Sequence, residues 1–188
     1  MNVAKSAVAR PDTRHFLGYR LVPSRGQSPG VGLSERSEKR LWERLKELTP
    51  RREGRSLSAI ISQVNAYLRG WLGHFGVCTP VAERALRGAD AHLRRRLRAI
   101  VLTHWKRRST IARRLARLGV KRKTAWIRTY AGSRATWALS HDSAVERGLR
   151  NAYFAERGLV SLVDTFKTRW QSQAAPVQLE LPWVTERS

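Results

Sequence analysis

Apolar residues at helical spacing organise most of this chain. Leu41, Leu45 and Leu48 recur at intervals of four and three, with Ser34 before them and Pro50 after them. Serine is a favoured helix N-cap and proline ends helices, so the sequence predicts a helix between these two residues.

Two further helices follow from the same spacing. Ser56 is the predicted N-cap of the second, and the pair Thr79–Pro80 is a strong start signal for the third, which we expect to span about 80–107. The apolar positions of the second are Leu57, Ile60, Ile61, Val64, Leu68, Trp71 and Phe75. Those of the third are Ala82, Leu86, Ala89, Leu93, Leu97, Ile100 and Val101.

The stretch "YLRGWLGHF" (67–75) is unusual for a helix interior. Gly70 and Gly73 each cost a helix roughly 1 kcal/mol relative to alanine, yet they stand beside the bulky Trp71 and Phe75. We expect the glycines to let a neighbouring helix approach while the two aromatic residues fill the core.

The remaining segments predict shorter elements. "HFLGYRLV" (15–22) is one short β segment, too short for a sheet of its own, and 23–32 is a loop. Helices are expected from Thr110 to Leu118, ended by Gly119, and from Ser140 or Asp142 to about 156. One short helix is expected within 121–140 and another after Gly158, followed by a loose tail from about 171. The predicted fold is all-α: a helical bundle with one short N-terminal β segment.

The net charge of the chain indicates the kind of partner that it binds. The 188 residues include 37 Lys and Arg against 14 Asp and Glu, a net charge of +23. Residues 91–141 alone carry fifteen Lys or Arg and no carboxylate. Such an excess is normally balanced by a polyanion, most often nucleic acid. No apolar run approaches the roughly 20 residues that span a bilayer, so no membrane partner is expected.

The sequence predicts no catalytic, cofactor or metal site. The four aspartates, at 12, 90, 142 and 164, are far apart, and Cys78 is the only cysteine. His92 and His104 share a predicted helix but lie about 18 Å apart, too far to bind one metal. We find no Walker-type loop, GxGxxG or GxSxG motif. The single cysteine and the lack of a secretory signal at the start favour a reducing compartment.

A cationic face on the basic helices is the candidate binding site. Arginine suits phosphate because its planar group donates two parallel hydrogen bonds. Trp105, Trp126, Tyr130 and Trp137 either stack on unpaired bases or anchor the core. The candidate nucleic-acid-binding residues are Arg69, Arg87, Arg94, Arg95, Arg96, Arg98, Lys106, Arg107, Arg108, Arg113, Arg114, Arg117, Lys121, Arg122 and Lys123.

The order of several motifs resembles the C-terminal part of bacterial group II intron-encoded proteins, the reverse transcriptase/maturases. These motifs are "FLGYRLV" (16–22), "LRGWLGHF" (68–75), "THWKRR" (103–108), "RRLARLGV" (113–120), "GSRATWALS" (132–140) and "NAYFAERGLVSL" (151–162). The resemblance spans about 14–170. It implies a flexible N-terminus with the end of a palm at 1–33, a three-helix thumb or maturase (X) domain at 34–107, a basic helical extension at 108–170 and a tail at 171–188.

The resemblance implies a function as well as an architecture. In the family, the thumb and X domain grip folded intron RNA and help it splice, while the RNA itself does the chemistry. It also implies a bacterial, cytoplasmic protein whose partner is structured RNA. DNA is a second candidate partner, because charge alone does not separate the two.

One departure from the family limits what is carried over. The sequence has no Asp-Asp pair, the metal-binding motif of the family's palm, so polymerase activity of its own is not expected. Three interpretations stay open: a stand-alone RNA-binding maturase domain, which we favour, the thumb of a split reverse transcriptase completed by a separate palm chain, and a remnant of a truncated retroelement protein.

Overall fold

The computed structural model describes residues 15–23, 29–51, 54–131 and 135–174, and the fold they form is mostly α-helical. The strands are β1 (His15–Phe16), β2 (Tyr19–Val22) and β3 (Gly30–Leu33). The helices are α1 (Glu35–Leu48), α2 (Leu57–Phe75), α3 (Glu83–Trp105), α4 (Arg108–Arg117), α5 (Arg122–Ala131), α6 (Thr136–Leu139), α7 (Ser143–Gly148), α8 (Asn151–Ala155) and α9 (Leu162–Ala174). The predicted fold class is confirmed.

The starts of α1 and α2 are those that the sequence predicts. The hydroxyl of Ser34 accepts a hydrogen bond from Ser37 N at 3.2 Å, and that of Ser56 accepts one from Ala59 N at 3.2 Å. Each bond satisfies a backbone N–H that the first turn of a helix leaves unpaired. Both cap predictions are confirmed.

The central helix is α3, which packs against α1, α2, α4, α6 and α9. Pro80 opens a single 3₁₀ turn, Pro80–Ala82, and the α-helix proper begins at Glu83. It ends at Trp105, because Lys106 adopts a positive φ of 57° that no α-helix accommodates. The predicted span of 80–107 is therefore right to within three residues at each end.

The N-terminal strands correct the prediction of a single β segment. β1, β2 and β3 form one antiparallel sheet in that order, with Tyr19 paired to Leu33 and Val22 to Gly30. The predicted loop is thus a strand from Gly30 onward. The flexibility predicted for the start of the chain concerns residues 1–15, and residues 1–14 and 24–28 lie outside the described residues.

Contacts with the helices explain why so short a sheet forms. The backbone N–H of Thr79 donates to Val31 O at 2.9 Å, and Val31 N donates to the Thr79 hydroxyl at 3.0 Å. These bonds occupy backbone groups of β3 that have no strand beside them. The segment that follows α2 therefore completes the sheet through Thr79, which lies 48 residues after Val31. The sequence around β3 does not predict this contact.

The role predicted for Gly70 and Gly73 is wrong. Both glycines are exposed, and a Cβ added to either one meets nothing within 4 Å. The other half of the prediction is confirmed for Trp71, which is buried and stacks on the half-buried Phe75 at 4.5 Å. The helix tolerates the glycines because α2 is held by its buried face.

Close approach occurs instead at Gly76, which follows α2. A Cβ there would lie 3.0 Å from the Nη1 of Arg169, a residue of α9. That guanidinium donates to Leu72 O at 2.9 Å, an oxygen near the end of α2 that also accepts from Gly76 N at 2.9 Å. The small residue and the arginine together join the last helix to the second.

The C-terminal half is divided more finely than the pattern predicts. Residues 121–140 contain two helices, α5 and α6, rather than one. Asp142, not Ser140, caps α7 through a 2.8 Å bond from Ala144 N, and the predicted helix to 156 breaks at residues 149–150 into α7 and α8. The chain stays helical to Ala174, so it is not loose at 171, and 175–188 lie outside the described residues.

One hydrophobic core joins these elements, running from Leu33 in β3 to Phe166 in α9. Because α4 to α9 contribute to it, the basic C-terminal half is packed onto the first three helices. No described helix combines the length and the hydropathy needed to cross a membrane.

Candidate nucleic-acid interface

The pair α4 and α5 presents the largest run of exposed basic side chains. Both helices pack on each other, burying Ile111 and Leu115 of α4 and Ala125 of α5. The residues that face outward around them, here called the α4–α5 basic surface, are Lys106, Arg107, Arg113, Arg114, Arg117, Lys121, Arg122 and Lys123. All eight are among the candidate nucleic-acid-binding residues of the sequence analysis, and all eight side chains are exposed to solvent.

The surface carries little internal neutralisation. The stretch 91–141 contains no carboxylate, and just after it Asp142 lies 4.0 Å from the guanidinium of Arg128 in α5. Exposed cations that are not paired with carboxylates create a positive field over the surface. The chemistry of this face is therefore suited to a chain of phosphates.

The aromatic residues of this region divide between the two predicted roles. Trp105 is buried and lies under the guanidinium of Arg114 at 5.4 Å, so it anchors the core. Tyr130 is 50 % exposed and stacks on the half-buried Trp126, with ring centroids 5.6 Å apart and planes within 8°. Arg108 is half-buried and donates to Tyr130 O at 3.1 Å. Tyr130 is thus an exposed ring beside the basic surface.

Arg96 is not on the surface, which corrects its assignment as a phosphate contact. Its side chain is buried, and one Nη donates to Lys46 O at 3.0 Å and to Thr49 O at 2.6 Å. These carbonyls belong to the last turn of α1, where a helix lacks internal donors. Burial, followed by the charge of Arg51, lowers the pKa of the guanidinium below its usual value.

Arg98 is likewise interior, and its assignment is also corrected. Its Nε donates to Leu149 O at 3.1 Å and its Nη1 lies 3.1 Å from the Glu146 carboxylate. Burial lowers the pKa of the Arg98 guanidinium, and the negative charge of Glu146 partly offsets this decrease. A signal was present for Arg96, which stands three residues after Leu93 and four before Ile100, on the apolar stripe itself.

The other candidates on α2 and α3 occupy three different settings. Arg69 is exposed, and Arg87 is exposed but paired with Glu83 one turn earlier. Arg94 and Arg95 are half-buried: Arg94 lies 3.8 Å from Asp90, and the guanidinium of Arg95 lies 4.2 Å above the ring of Trp137. These four residues lie outside the α4–α5 basic surface.

Among the described residues, no group of three or more His, Cys, Asp or Glu is placed to hold a metal ion. Cys78 is fully buried, and burial raises the pKa of its thiol to about 11, so the nucleophilic thiolate is suppressed at neutral pH.

Comparison with known proteins identifies the matching part of the chain. Residues 38–119 match the family model described as "Group II intron, maturase-specific domain". The match runs from the first turn of α1 to the glycine that follows α4, so it includes part of the α4–α5 basic surface. It confirms the resemblance to the maturase region of group II intron-encoded proteins. No curated protein matches the chain.

Proposed function

We propose that this chain binds folded group II intron RNA through the α4–α5 basic surface and stabilises it for splicing, in the cytoplasm of a bacterium. The match to a maturase-specific domain supports a maturase-related role. The observation that carries the RNA-binding step is the exposure of eight basic side chains in a stretch without carboxylates.

The arrangement suits a rigid grip on RNA. The buried faces of α4 and α5 fix the backbone positions of the cations, so less backbone conformational entropy is lost on binding than with a disordered basic tail. Phosphate contacts position RNA without reading its sequence, and the exposed Tyr130 adds a ring that unpaired bases stack on. In this proposal the RNA performs the splicing reaction and the protein supplies binding free energy.

The test measures affinity for a transcribed group II intron while the salt concentration is raised from about 50 to about 200 mM. Release of counterions from four or more phosphates predicts a loss of roughly fiftyfold or more over this range. The same measurement on a length-matched scrambled RNA is the control for structure, and the splicing rate of the intron at low Mg²⁺ is the functional readout. Affinity that hardly changes with salt, or no effect on splicing, contradicts the proposal.

A second candidate is the thumb subunit of a split reverse transcriptase. The observation that favours it is the β1–β2 hairpin, where Phe16 is 76 % and Leu17 70 % exposed. An outer strand with exposed apolar residues favours pairing with another sheet. Co-purification with a palm chain that bears an Asp-Asp motif, and primer extension by the pair, test this candidate.

A further inference from the structure

A second basic site lies on α3, away from the α4–α5 basic surface. It is a cavity of about 470 Å³ bounded by α1, α3 and the α7–α8 region. Its defining residues are Trp42, His92, Arg94 and Arg95, which we call the α3 groove. The volume lies within the range of roughly 300–1,000 Å³ typical of small-molecule sites.

Aromatic rings form one wall of the α3 groove. The indole of Trp42 lies 4.6 Å from the imidazole of His92, which in turn lies 6.2 Å from Trp137. Trp42 is 37 % exposed and packs beside Gly88 of α3, where an added Cβ would lie 3.5 Å from the indole. A flat ring of this size left open to solvent is a stacking surface for another flat ring.

Two arginines of the groove keep donors that the protein does not use fully. The nearest carboxylate to Arg94 is Asp90 at 3.8 Å, and its oxygens already accept hydrogen bonds from α9. The Nε of Arg95 is buried and has no hydrogen-bond partner in the described part of the chain. The third arginine, Arg98, is neutralised by Glu146. The groove thus holds an excess of positive charge next to an aromatic wall.

We propose that the α3 groove binds one unpaired nucleotide of the bound RNA, with its base stacked on Trp42 and its phosphate held by Arg94 and Arg95. This inference rests on the proposed RNA-binding function and deepens it. A cavity of this size has no room for a duplex, whereas single-stranded bases stack readily on aromatic side chains. The groove therefore selects RNA that carries an unpaired nucleotide, which a uniform cationic surface does not.

The probe is an RNA hairpin whose loop is replaced by a polyethylene-glycol linker and whose three-nucleotide overhang carries 2-aminopurine, compared with the same linker-closed hairpin ended bluntly. Trp42→Leu keeps an apolar side chain but removes the ring, and it is expected to weaken binding of the overhang hairpin roughly tenfold. Trp42→Phe keeps a ring and is expected to retain most of the affinity. Arg94→Gln with Arg95→Gln weakens the overhang hairpin more than the blunt one, and Arg36→Gln with Arg40→Gln, at exposed positions of α1, is the control of equal charge.

Each outcome has a definite meaning. Quenching of 2-aminopurine by the wild type, lost in Trp42→Leu, supports stacking on Trp42. Equal losses for both hairpins, or no preference of the wild type for the overhang, overturn the inference while the proposed function stands. Binding of neither hairpin nor intron RNA by the wild type instead rejects the proposed function itself. Thermal unfolding of each variant shows whether a lost affinity reflects a lost fold.

Discussion

The carboxylate of Asp90 accepts a hydrogen bond at 3.0 Å from the backbone N–H of Leu162, a residue 72 positions later in the chain. The second oxygen accepts from Val163 N at 3.2 Å and from the Ser161 hydroxyl at 2.9 Å. Asp90 lies within α3, yet it caps the start of α9. An ionised carboxylate at a helix N-terminus satisfies free N–H groups and interacts favourably with the helix dipole. This contact joins the last helix to the centre of the fold.

Removal of this cap is expected to destabilise the protein strongly. Asp90→Ala leaves two buried backbone N–H groups without acceptors and should lower the free energy of unfolding by about 2–4 kcal/mol. Urea denaturation followed by circular dichroism measures it. Asp164→Ala, in the exposed first turn of the same helix, is the control and should cost about 0.5 kcal/mol or less. Similar losses for the two variants contradict the role of Asp90.

The buried arginines are expected to act on stability and the exposed ones on binding. Arg96→Gln and Arg98→Gln each break hydrogen bonds of a buried charged group and should cost about 1–3 kcal/mol of unfolding free energy. Arg113→Gln, on the exposed face of α4, should change it by no more than about 0.5 kcal/mol. Urea denaturation of the three variants distinguishes the groups, and an unaltered midpoint for Arg96→Gln refutes the interior role.

Replacing the exposed glycines of α2 with alanine is expected to stabilise the folded protein. Gly70→Ala and Gly73→Ala introduce a methyl group that meets no neighbour, so each should gain up to about 1 kcal/mol from helix propensity. Gly148→Ala, in α7, should destabilise instead, because its Cβ would lie 2.7 Å from a methyl carbon of Leu115. The melting temperatures of the three variants check both signs. A loss of stability at Gly70 would indicate a constraint other than packing.

Four substitutions on the α4–α5 basic surface are expected to reduce the salt dependence of RNA binding. Each phosphate contact contributes roughly 0.7–0.9 to the slope of log affinity against log salt, so removal of four should lower it by about 3. The substitutions are Arg113→Gln, Arg117→Gln, Lys121→Gln and Lys123→Gln.

The matched control removes the same charge from exposed positions on other elements. Its substitutions are Arg36→Gln, Arg40→Gln, Arg147→Gln and Arg150→Gln, all at exposed residues. Because both variants have the same net charge, a difference in slope reports contact rather than a general field. Equal slopes for the two variants would show that the α4–α5 basic surface is not the contact face.

We expect the stability of the protein to decrease as the pH is lowered, because His92 takes up a proton more readily in the unfolded chain. Burial, and then the charges of Arg96, Arg95 and Lys46, lower its pKa below the usual 6.5. The unfolded chain therefore binds this proton first, so the stabilisation is complete above about pH 6.5 and is lost as pH falls toward the folded pKa. His92→Gln should show a smaller drop in melting temperature from about pH 7.5 to about pH 5 than the wild type. His104→Gln, exposed on the same helix, is the control.

The sequence by itself determined the main helices and several of their ends. Ser34 and Ser56 cap the helices they were predicted to cap, and Gly119, with a φ of +89°, follows the end of α4 as expected. These features depend on residues within one or two turns of each other, so their physical cause lies entirely in the local chain. The charge that points to a polyanion is likewise a property of composition alone.

Tertiary structure alone decided which partners the interior polar residues find and which glycines are crowded. Arg96 finds its acceptors at Thr49, 47 residues away, and Asp90 finds its donors at the start of α9. The helical pattern shows on which side of a helix a residue lies but not what packs there, and α3 is covered on several sides. Gly70 and Gly73 are open to solvent because none of the described helices crosses α2 at their face.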